Sequence, residues 1–206
     1  MTKMQTPTIR LSDRALLVSL SISQWTARKL DKTETQALAA KHGAAEGMAR
    51  VNKLLLPKDG ALDAVHKKTG EIRTVYYNNT LPWAVDGSRI IPTAHYIGFR
   101  NEMGVLLRDF DRLVDVFLHE YPTLKDDAQR LLNGMFKEDD YPDTYKVRQK
   151  FRASTDFFPI PDAKDFRRTL SDDEAAAREA EIEAVYKKVT HDAMQDCWRR
   201  LYDVVE

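Results

Sequence analysis

Trp25, Arg28 and Lys29 follow an alternating run, Leu17 to Gln24, and set one aromatic and two cations at a strand's end. Aromatic rings stack on unpaired bases, and cations track phosphates. Three further groups of this kind occur: Arg73, Tyr76, Tyr77 and Trp83; Arg89, Tyr96 and Arg100; Lys150, Phe151 and Arg152. Trp25, Arg28, Lys29, Arg73, Tyr77 and Arg89 are the expected binding residues. The competing reading is that Trp25, Tyr76 and Trp83 are core aromatics, because large aromatic side chains dominate cores.

Other chemistry is thinner. His42, His66, His95, His119 and His191 are scattered, without ligand spacing. His119-Glu120 begins like a zinc-protease helix, but Thr123 stands where the second histidine is needed. Asp109 and Asp111 fall on different sides of one helix. Asp139-Asp140 is expected to solvate a charged loop. Asp143, Asp162 and Lys164 loosely fit the carboxylate–lysine spacing of a metal-dependent nuclease, a match frequent by chance. Neither a Gly-rich phosphate loop nor a Gly-x-Ser-x-Gly elbow is present. The lone Cys197 is expected to be core. No catalytic residue, metal or cofactor is assigned.

The elements that must position these residues can be read locally. Residues 15–24 alternate with period 2, as a half-buried strand does. Asp31 or Thr33 caps a helix stopped by Gly43. Met48, Val51, Leu54 and Leu55 suggest a helix over 45–56. Residues 61–79 read as a helix, with a strand over 71–77 as the alternative, and 89–91 as a short strand. Thr93 opens a long amphipathic helix to about 120, which Pro122 is expected to end, with a shorter helix to about 135. Pro142 suits the first turn of a helix to about 151. Residues 152–160 look extended. Ser171 and Glu174 form a capping box that opens a second long helix, 172–206. The expected class is α+β, mostly helical, with a small antiparallel sheet on helices and a single domain over 1–206.

The 206 residues carry no net formal charge, but the charge is unevenly spread. Residues 1–100 hold 15 Lys/Arg against 8 Asp/Glu, and 101–206 hold 17 against 24. The basic half can neutralise the acidic half, in one chain or between copies, or can meet an anionic partner. No apolar run approaches the ~20 residues of a membrane span. The first ten residues lack a signal peptide's apolar core. One cysteine fits a reducing compartment.

Several pieces carry a resemblance: Leu20 to Lys29 (LSISQWTARK), Arg50 to Leu55, Thr80 to Trp83 (TLPW), Arg89 to Ala94 (RIIPTA), Asp140 to Pro142 (DYP), and Pro159 to Pro161 leading to Asp165-Phe166-Arg167. In these the chain resembles a family of tailed-phage and prophage proteins. The resemblance implies a viral gene product in the host bacterial cytoplasm and brings no catalytic residues. The functional expectation is a self-assembling protein, a homo-oligomer, that binds single-stranded nucleic acid in phage DNA replication or recombination. The alternative is a protein–protein module acting on a host protein, such as a defence inhibitor or ATPase accessory. A metal-dependent nuclease is the third reading.

Overall fold

The computed structural model describes residues 11–45, 47–58, 60–83, 87–160 and 172–205. It is α+β and predominantly helical, with a small antiparallel sheet packed on helices. The strands are β1 (Ala15–Ser23), β2 (Arg28–Leu30), β3 (Asn52–Leu54), β4 (Leu81–Pro82), β5 (Arg89–Pro92) and β6 (Arg152–Pro159). The helices are α1 (Lys32–His42), α2 (Ala61–Asn79), α3 (Tyr96–Leu132), α4 (Thr144–Arg148) and α5 (Asp172–Val205). No helix among the described residues is long and apolar enough to cross a membrane.

The described chain divides into two compact units, one of residues 11–21, 71–106 and 154–205, the other of 22–70 and 107–153. The first holds most of a four-stranded sheet in the order β4-β5-β1-β6. Ala15 pairs with Pro92 and Val18 with Arg89, antiparallel, and Leu81 pairs with Ile90. Ala15, Ile90 and Ile160 are buried together under Leu17, Leu81, Trp83 and Tyr186. Tyr76 is buried and donates its hydroxyl to the Val18 carbonyl at 2.9 Å. Phe99 packs near Tyr76 and Phe157, at 6.5 and 6.1 Å between ring centroids.

The C-terminus of α2 is closed by two arginines. Arg200, held by Asp196 at 2.8 Å, donates to the carbonyls of Tyr77, Asn78 and Thr80. Arg89 donates to the Thr80 hydroxyl and carbonyl, each at 2.7 Å. Carbonyls at a helix C-terminus lack intrahelical partners, and cations there also suit the dipole.

The second unit centres on rings. Phe117 is fully buried among Trp25, Tyr121 and Phe151, at centroid distances of 6.4, 5.9 and 5.6 Å. Tyr121 donates to the Pro142 carbonyl at 2.9 Å, and Tyr141 to the Leu55 carbonyl at 2.7 Å. These bonds tie the segment around 141 to α3 and to the chain after β3. Gly43 ends α1 at φ +60°, a left-handed cap that glycine adopts without a Cβ clash.

Five local expectations fail. Residues 45–56 contain no helix among the described positions; the 3.6 spacing there belongs to β3 and its flanks, which pair with a distant strand. Pro122 lies inside α3, which runs on to Leu132. The lost backbone bond is offset by packing, since Phe117, Tyr121 and Ala128 are all buried. Asp140 is buried instead of solvating its loop, and Cys197 is exposed instead of core. The helix from Pro142 shortens to α4, while Ser171, Asp162 and Lys164 lie outside the described residues.

Candidate nucleic-acid interface

The stretch after β1 builds a two-stranded ribbon. Arg28 pairs with Leu54, Lys29 with Lys53 and Leu30 with Asn52, antiparallel. Residues directly opposite share a face, so Lys29 and Lys53 meet as like charges, a destabilising pair unless something intervenes. Asp140 intervenes. Its Oδ1 lies 2.5 Å from Lys29 Nζ and its Oδ2 2.5 Å from Lys53 Nζ. The Lys29 contact has hydrogen-bond geometry; the Lys53 contact is an ion pair off the hydrogen-bonding direction. The Lys53 and Asp140 side chains are 3% and 4% exposed.

Lys53 donates to the Met135 carbonyl at 2.9 Å and lies 3.7 Å from Asp31 Oδ2. Asp31 caps α1, accepting from the Glu34 amide at 3.2 Å. That amide bond is the leading reason its carboxyl stays below the ordinary value, with Lys137 and Lys53 adding to it. Burial pushes the Asp140 carboxyl up, but its contacts with Lys29 and Lys53 outweigh burial and hold it below the ordinary value. The carboxylates here are therefore ionised and occupied.

Successive side chains of a strand point to opposite faces, and β2 accordingly serves two cavities. Arg28 lines a cleft of about 520 Å³ with Gln24, Thr26, Lys58, Asp63, His66 and apolar walls. Lys29 lines a cavity of about 330 Å³ with Lys32, Thr33, Lys53, Lys137, Asp31 and Asp140. Arg28, Lys32, Lys58 and Lys137 are without an ion pair to another described residue. Asp63 is held by Lys67 at 2.9 Å; this side-chain bond is the main cause that lowers its carboxyl.

Trp25 is half-buried, edge-on to Tyr121 at 5.8 Å. It anchors the turn into β2. His66 Nε2 lies 2.9 Å from the Trp25 carbonyl. A carbonyl only accepts, so the proton sits on Nε2.

Arg73, Tyr77 and Arg89 belong to the other unit. Arg73 is exposed on α2. Tyr77 is 52% exposed, with the Arg89 guanidinium 5.0 Å from its ring centroid. Arg89 is committed to Thr80, and burial lowers its affinity for its proton. Trp83 packs on Tyr186 at 6.0 Å, and Tyr96 stands edge-on to Phe157 at 4.9 Å. Of the nuclease-like trio, Asp143 caps α4 through the Lys146 amide at 2.8 Å.

Sequence reasoning missed Gln24, Lys32, Lys53, Lys58, His66, Lys137 and Asp140. The signal that could have found them is the strand-like Asn52-Lys53-Leu54, whose alternation was hidden by apolar neighbours. Comparison with known proteins adds no relative: no family model, curated protein or solved structure matches the chain.

Proposed function

We propose that the chain is a binding protein for single-stranded nucleic acid, without catalysis of its own, in the replication or recombination of a tailed-phage genome. One observation carries this reading. Arg28, Lys32, Lys58 and Lys137, without an ion pair to another described residue, and half-exposed Lys29 line the two cavities of the β2–β3 ribbon, while the three carboxylates there and buried Lys53 are already engaged within the protein. The surplus suits a phosphate backbone. In this reading Arg28 and Lys29 meet phosphate, and Trp25, half-buried against Tyr121, holds the turn that presents them. Arg73 and Tyr77 offer a second, smaller contact on their own unit.

Self-association falls to a different surface. In the first unit, α5 and the sheet edge enclose an apolar groove of about 570 Å³, lined by Ala15, Leu81, Ile90, Met194, Trp198 and Leu201 among others. Trp198 is 67% exposed, and Met194, Leu201 and Tyr202 are also exposed. A second copy brings both the hole and the protruding stripe, as a two-fold interface requires.

The test is fluorescence anisotropy with labelled single-stranded DNA, duplex DNA and RNA. Preferential single-strand binding is expected. Absence of binding at low salt, or equal binding to duplex, overturns the reading.

A further inference from the structure

We infer that the cleft beside Arg28 takes one unpaired base of the bound strand, and that Gln24 turns its side-chain amide to read that base. This rests on the nucleic-acid reading above.

The cleft has the make-up of a small-ligand site. Its volume, about 520 Å³, is in the range of such pockets. Leu54, Leu56, Pro57 and Leu62 supply apolar walls for the faces of a ring. Arg28 and Lys58 stand at the same cleft for flanking phosphates. Single-stranded strands are held in this way, with bases splayed out and read on their polar edges.

Gln24 supplies an independent observation. Its Oε1 is buried and accepts no hydrogen bond from any described residue. Buried side-chain oxygens are nearly always paired, so an orphan calls for an explanation. Gln24 also lines the cleft. Rotation of its side chain toward the cleft gives the oxygen a donor only when an occupant provides one. An exocyclic amine or ring N–H of a base is such a donor.

The backbone supplies another. Ala27 is buried and sits at φ +48°, in the left-handed region that a Cβ disfavours. Its carbonyl is fixed by the Leu55 amide at 2.8 Å. Strain held by surrounding structure clusters at ligand clamps. Here it turns the chain between Gln24 and Arg28, so that both line one cleft.

The experiment is isothermal titration of the full chain with AMP, CMP, GMP and UMP, and with ribose 5-phosphate as the base-free control. A labelled oligonucleotide of roughly 20 nucleotides is measured in parallel. Nucleotides are expected to bind about tenfold or more tightly than ribose 5-phosphate, for a hydrogen bond and a stacked ring. Gln24→Met is expected to raise the melting temperature, by removing an orphaned acceptor, and to weaken nucleotide binding about tenfold. Thr26→Trp, at an exposed position of the cleft, is expected to block nucleotides with the fold kept. Equal binding of ribose 5-phosphate, or unchanged nucleotide affinity in both variants, overturns the base pocket. If the oligonucleotide still binds in that case, the phosphate-contact reading stands. A wild-type chain that binds neither nucleotide nor oligonucleotide overturns both.

Discussion

Lys29 and Lys53 face each other across the β2–β3 ribbon, and both ammonium groups lie 2.5 Å from the carboxylate of Asp140. One lysine is half-exposed and the other buried. The ribbon therefore keeps one cation at its surface while the buried one is neutralised from a segment more than eighty residues away.

Asp140→Asn removes the close carboxylate partner of buried Lys53 and leaves it only the longer 3.7 Å ion pair with Asp31. Breaking a buried pair from one side costs about 3–5 kcal/mol. Urea denaturation is expected to show a loss of that order. A loss under about 1 kcal/mol means the carboxylate is not holding the ribbon.

The same pair gives a pH dependence. The folded Asp140 carboxyl is held below its unfolded value, so the folded state binds fewer protons. Its contribution is present above the unfolded value of 3.8 and is lost as pH falls through the folded one. The urea midpoint is expected to fall below about pH 4, with a shallower slope in Asp140→Asn. Equal slopes refute this assignment.

Arg200→Ala removes three bonds to the carbonyls of Tyr77, Asn78 and Thr80. These groups are partly exposed, so water replaces some of them, and a loss of about 1–2 kcal/mol is expected. Oligonucleotide affinity is expected to fall by no more than about twofold, because Arg73 and Tyr77 form only the smaller contact. A larger loss means the α2 terminus, not the ribbon, is the main binding surface.

Trp198→Glu puts a charge into the apolar stripe of α5. Light scattering is expected to show a concentration-dependent dimer for the native chain and a monomer for the variant. A native chain that stays monomeric at high concentration contradicts self-association through this groove.

Much of the fold was legible because its signals are local. Alternation marked β1, and short extended runs bounded by prolines marked β5 and β6. Asp31 and Gly43 bounded α1, and the apolar periodicity of α3 and α5 marked two long helices. The ribbon was not legible. Met48, Val51, Leu54 and Leu55 have helical spacing, and only pairing with Arg28–Leu30 makes Asn52–Leu54 a strand. Asp140 looked solvated because its acidic neighbours hid its partners, Lys29 and Lys53. Arg28 and Lys29 were found as cations at a strand end. Trp25 was found as an aromatic, but its burial against Phe117 and Tyr121 depends on α3. Cys197 fell on an apolar stripe, and a stripe does not reveal which of its members the sheet covers.

The most direct test of the ribbon as the binding surface is a salt series of anisotropy with single-stranded DNA, comparing native chain with Lys32→Gln/Lys137→Gln. Both lysines are exposed and without ion pairs to described residues, and Lys137 only adds at a distance to the field on Asp31, so the fold is expected to be kept. Each phosphate contact on a single strand contributes about 0.7 to the slope of log affinity against log salt. The double variant is expected to bind more weakly, with a slope smaller by about 1.4. An unchanged slope and affinity would place the nucleic acid elsewhere and contradict the assignment of the ribbon.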